Sequence, residues 1–138
     1  MGYAQLPKGD RILAFQVDVT ENDDYDLAFD FAQEACQTST HMSVTWSGIE
    51  PTAGDFDADF IASRLDIANY YYPLHDVQVE MQFSVTNTTT KETPIDLLDI
   101  AFDAPIMIER FKTALDTMFI HIPDIELAAL NIGNESDV

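Results

Sequence analysis

The chain has 138 residues, the length of one ordinary domain, and its 46% hydrophobic content is enough for a core and too high for a disordered segment. Twenty-five Asp and Glu against six Lys and Arg give a formal net charge of −19. That balance repels phosphate backbones and anionic lipid, so neither nucleic acid nor membrane is expected as a partner, and no apolar run is long enough to span a bilayer.

The acids are spread along the chain, as in a solvated surface; adaptation to high salt, where screening relieves self-repulsion, is the sharper reading. Met1 to Asp10, "MGYAQLPKGD", lacks the apolar core of a signal peptide. A mature exported chain would look the same, so compartment stays open between cytoplasmic and extracellular or periplasmic. The single cysteine, Cys36, forms no internal disulfide, and its place in a helical pattern with Phe31, Ala32 and Ala35 predicts a buried, inert thiol.

Strand and helix patterns alternate four times. "ILAFQVDV", Ile12 to Val19, predicts a first strand. "NDDYD" supplies caps for a helix reaching about Thr38, with Leu27, Phe31 and Ala35 on one face. "MSVTW", Met42 to Trp46, predicts a second strand, and "SGIEPTAGDFD" reads as a loop. A second helix opens near Asp57 and Asp59, carries the stripe Ile61, Leu65, Ala68 and Tyr72, and ends at Pro73. The third strand, Val77 to Val85, alternates cleanly between apolar and polar residues. In the following loop, Leu97, Leu98 and Ile100 suggest a docked turn. Asp103 is the expected N-cap of a third helix with Pro105 in its first turn and the stripe Ile108, Phe111, Leu115 and Met118. A fourth strand spans Ile125 to about Asn131.

Strands separated by helices of this length make right-handed βαβ units with parallel strands. The expected fold is therefore α/β, in one unit. Two architectures fit: half of a (β/α)8 TIM barrel, strands one to four, or an open doubly wound sheet.

Nucleotide chemistry has little support, because there is no G-x-G-x-x-G and no P-loop. A Gly-x-Ser-x-Gly elbow is missing too. His41, His75 and His121 stand apart in sequence, and no metal ligand set is expected. What remains is carboxylates where strands end.

"GNE", Gly133, Asn134 and Glu135, closes the fourth strand. Trp46, Glu50, Pro51, Gly54, Phe56 and Asp57 form a "W…EP…G.FD" stretch after the second. Motifs, order and strand positions together resemble the retaining glycoside hydrolases with (β/α)8 barrels, the clan of many cellulases, xylanases, galactosidases and mannanases. The resemblance implies hydrolysis of O-glycosidic bonds in poly- or oligosaccharides, with no cofactor. It makes Glu135 the acid/base and gives Asn134 a hydrogen bond to the sugar hydroxyl beside the reacting carbon. The clan's nucleophile sits on a later strand, usually the seventh, which this chain does not supply, so the segment alone is expected to be inactive.

Trp46 leaves strand two at the rim, where it could stack on a sugar or pack under a loop. Gln16 and Asp18 end strand one and could line a sugar site. Pro51 biases Glu50 toward an extended conformation, which favours a loop-shaping role. Strand parity turns Gln78, Glu80, Gln82 and Ser84 toward the barrel interior, an unusually polar lining. An isolated half would have two open sheet edges, which predicts self-association. Two other classes remain: a noncatalytic carbohydrate- or protein-binding domain, and a receiver-like signalling domain using Asp18.

Overall fold

The computed structural model describes residues 12–134. Their order is β1 (Ala14–Phe15), α1 (Tyr25–Glu34), β2 (Ser39–Thr45), α2 (Trp46–Ile49), α3 (Ala58–Ile61), a π-helical segment (Ala62–Asp66), α4 (Ile67–Leu74), β3 (Gln78–Asn87), β4 (Thr90–Lys91), a 3-10 turn (Ile95–Leu97), α5 (Pro105–His121) and β5 (Leu127–Asn134). One sheet runs β1-β2-β3-β5, all parallel; β4 is a short antiparallel flap on the end of β3. Consecutive βα units thus lie side by side with no reversal of order. A doubly wound sheet needs such a reversal, so the open-sheet alternative and the receiver-like reading built on it are set aside.

Strand parity decides what β3 buries. Val79, Met81 and Phe83 are buried with Val44 of β2, against Ile61, Leu65, Met107, Ala114 and Met118 from the helices. At about 25 cal/mol per Å² of apolar surface, each such side chain contributes roughly 1.5–3 kcal/mol. The opposite face carries His41, Ser43 and Thr45, in register with Glu80, Gln82 and Ser84. Asn131 of β5 extends this polar face by donating to Glu80 Oε1 (2.9 Å).

Several local expectations change. β1 is two residues long, not eight. Leu13 O accepts from Thr38 N and Ser39 N (3.0 and 3.1 Å), which anchors the strand's start. At Phe15 the carbonyl accepts from the Thr40 hydroxyl (3.3 Å), and pairing with β2 ends there. Helix α1, capped by Asp24 accepting from Leu27 N (2.9 Å), buries Phe29 and Ala32, while Leu27 and Phe31 are exposed. Phe29 selects that face by packing its ring against Tyr71 and His75, with centroids 5.2 and 5.0 Å away. Because α1 stops at Glu34, Cys36 falls beyond the helix at φ +67° and is exposed, not buried. The N-cap of α5 is Ala104, not Asp103: Pro105 occupies the first helical position and holds Ala104 extended (φ −65°, ψ 136°). No described helix is long and apolar enough to cross a membrane.

Candidate functional site

Parallel strands deliver their C-terminal ends to one rim, where (β/α)8 proteins do their chemistry. At this rim β2 leads into α2, β3 ends at Asn87 and β5 ends at Asn134. Thr45 starts the β2 loop by capping α2, its hydroxyl accepting from Gly48 N (3.0 Å). A Cβ at Gly48 would lie 2.6 Å from the Phe60 ring, so any larger residue there has to displace that ring.

The centre of the rim on this side is Glu50, which is 1% exposed. Its Oε2 accepts from the Trp46 indole N–H (2.9 Å). Its Oε1 accepts from Gly54 N (2.8 Å) and Arg110 Nε (2.9 Å), with Arg110 Nη2 at 2.7 Å. Arg110 Nη1 also donates to Asp96 Oδ2 (2.8 Å). One guanidinium on α5 therefore ties the loop after β2 to the turn after β3. Hydrogen bonding to Arg110 holds the Asp96 carboxyl below its ordinary range, and hydrogen bonding to Asp96, then Glu50, raises the Arg110 guanidinium. Glu50 shapes the loop, as Pro51 suggested. Arg110 and Asp96 were not anticipated; the signal was a lone arginine between the apolar positions Ile108 and Phe111 in an acidic chain.

Trp46 is corrected as a sugar platform. It is 1% exposed, its ring meets Phe111 edge-on at 5.5 Å, and its N–H is spent on Glu50. It packs under the loop as part of the core. Asn134 closes β5, so its backbone stands at the rim. Glu135 lies outside the described residues.

Gln16 and Asp18 are exposed and follow the point where β1 leaves β2. A half-open cleft of about 580 Å³ lies there, bordered by both residues, by His41 and Ser43 of β2, and by Tyr71 and Arg64 across from them. The structure thus groups Gln16 with Asp18 but gives Trp46 to a separate, buried cluster. Among the histidines, His41 faces Glu80 (4.0 Å), His75 packs on Phe29, and His121 faces Asp66 (2.7 Å). Among the described residues no three His, Cys, Asp or Glu are grouped to hold a metal.

No family model matches the chain, and no curated protein matches it. Among solved structures, it is similar to the exo-beta-1,4-mannosidase Op5Man5 from Opitutaceae bacterium strain TAV5, with a TM-score of 0.71 and 20% sequence identity. The superposition covers 91% of this chain and 24% of that one, so the chain spans about a quarter of the mannosidase's length. At that identity the likeness is one of fold. With the sequential parallel sheet, it makes this chain a mixed α/β fold that corresponds to part of a (β/α)8 barrel.

Proposed function

We propose that the chain is the acid/base-bearing part of a retaining glycoside hydrolase acting on poly- or oligosaccharides. The observation that supports this most is the placement of β5. It pairs parallel to β3 over the register Val79↔Leu127 to Asn87↔Asn134 and so ends at the rim, one residue before Glu135. In this reading Glu135 protonates the leaving glycosidic oxygen, then takes a proton from the water that completes the second step. Asn134 hydrogen-bonds the neighbouring sugar hydroxyl. The nucleophilic carboxylate belongs to a later strand and must stand about 5–5.5 Å from the acid/base. Beside β5 an apolar trough lined by Phe102, Ile108, Phe111, Leu115 and Ile132 fits completion of the sheet by further βα units. In the isolated chain the same edge could instead accept a second copy.

The structural neighbour is an exo-β-1,4-mannosidase, which makes a β-1,4-mannooligosaccharide the first substrate to try. The test uses the translated product of the whole reading frame that contains these residues. Glu135→Gln should lower kcat by about 10²–10⁴-fold, the usual contribution of a positioned general acid/base. An unchanged kcat would remove Glu135 from the chemistry.

A further inference from the structure

We propose that the cleft opened where β1 leaves β2 is a saccharide-binding site for a short neutral sugar, separate from the rim where β5 ends. The inference takes only the class of ligand from the proposed function. Its volume, about 580 Å³, lies within the range of small-ligand sites.

The cleft exists because pairing between β1 and β2 stops at Phe15. Among the described residues Met42 and Ser43 therefore have no strand partner on that side, while β3 occupies the other. The opposite wall contains the π-helical segment Ala62–Asp66, which brings Ser63 and Arg64 to the cleft. Such segments recur at functional sites. Each of the other described cations is engaged: Lys91 with the Ile100 carbonyl, Arg110 with Glu50 and Asp96, Lys112 with Glu109. Arg64 has no hydrogen bond or ion pair among the described residues, which leaves its donors available to a ligand.

The tyrosines supply walls rather than charge. Tyr25 and Tyr72 share a hydroxyl–hydroxyl bond (3.0 Å), and Tyr71 donates to Asp26 (3.0 Å). Burial, then these hydrogen bonds, raises Tyr25 far above the ordinary phenol range and pushes Tyr71 up to about 12. Both stay neutral and held in place. Asp18 accepts hydroxyl protons, Arg64 donates to hydroxyl oxygens, and Gln16 and Ser43 can do either. Donors and acceptors of both kinds beside aromatic rings suit a polyhydroxylated ring. The net charge of −19 disfavours an anion.

The test is a two-dimensional NMR titration of the chain with cellobiose, and with glucuronic acid as the anionic comparison. Cellobiose should shift the amides of residues 41–43 and 63–72, with little dependence on salt. Arg64→Ala should weaken binding about tenfold, the worth of a hydrogen bond to a charged group. Ser63→Trp, at an exposed position, should fill the cleft and abolish the shifts while the remaining spectrum stays dispersed. Three results would overturn the proposal: no shifts in a folded chain, shifts confined to the rim around Thr45 and Gly133, or tighter binding of the glucuronate. Because Glu135 takes no part in binding here, Glu135→Gln should titrate like the parent. Loss of hydrolysis and loss of this binding are therefore separate results.

Discussion

The loop after the second strand and the first βα unit are built in opposite ways. Glu50 itself is fully partnered: its carboxylate takes the indole N–H, the Gly54 amide and the Arg110 guanidinium. Around the first βα unit, Gln33 Nε2, both amide atoms of Gln37 and Ser39 Oγ are buried without a protein partner, and β1 contributes only two residues to the sheet. Each unsatisfied group costs about 1–3 kcal/mol relative to a bonded one. Satisfied networks in low dielectric rigidify a region, and unsatisfied ones leave it ready to rearrange. The contrast teaches that the rim around Glu50 is a fixed frame, whereas the base of the first βα unit, where α1 returns to the start of β2, is the looser part.

The largest test breaks the frame. Glu50→Ala leaves Arg110 partly buried with only Asp96, and orphans the Trp46 and Gly54 donors. Removing one partner of a buried pair costs roughly 3–5 kcal/mol, which urea unfolding would measure. The sole tryptophan reports the same event, because losing Glu50 frees the Trp46 indole N–H and should shift its emission. A loss below 1 kcal/mol would mean the clamp does not hold the loop. Next comes the first helix: Asp24→Ala removes the bond to Leu27 N and should cost about 1 kcal/mol.

A smaller effect tests the exposed end of the clamp by pH. Arg110 lowers the Asp96 carboxyl below its unfolded value of about 3.9. The contribution is therefore full above that range and is lost as acid titrates through the lower, folded value. Asp96→Asn should flatten this part of the acid-stability curve, with a loss near neutrality of about 0–1 kcal/mol, since Asp96 is more than a third exposed. Asp18→Ala should be the smallest change, within about 0.5 kcal/mol, because among the described residues its carboxylate bonds only the adjacent Val19 amide. A large loss at Asp18 would erase the contrast between the two regions.

Much of the fold was legible because its signals are local and periodic. The alternation Val79, Met81, Phe83 against Glu80 and Gln82 set both the strand and its facing, and Ile61, Leu65 and Ala68 set the helix before β3. What misled were positions decided by distant partners. Phe31 belongs to the same apolar pattern as Phe29, but only Phe29 reaches the Tyr71 and His75 rings, so Phe31 is left 57% exposed. Cys36 depended on a helix end that composition alone did not mark. At the rim, the motif containing Trp46 and Glu50 was visible, while its meaning was not. Which of the two is buried, and against which cation, depends on Arg110, 60 residues away. The cleft was half legible: Gln16 and Asp18 stood out as strand-end polar residues, but Arg64 and Tyr71 enter through a helix whose pattern reads only as core and solvent.

The central proposal is that this part of a (β/α)8 fold carries a glycosidase acid/base at Glu135, with the nucleophile supplied by a later strand. The most direct measurement is an assay of the purified 138-residue chain on aryl β-mannosides and aryl β-glucosides. The account predicts turnover no faster than the buffer blank from a chain that is folded by circular dichroism. Turnover that disappears in Glu135→Gln would contradict it, because a complete retaining site would then have to lie within this chain.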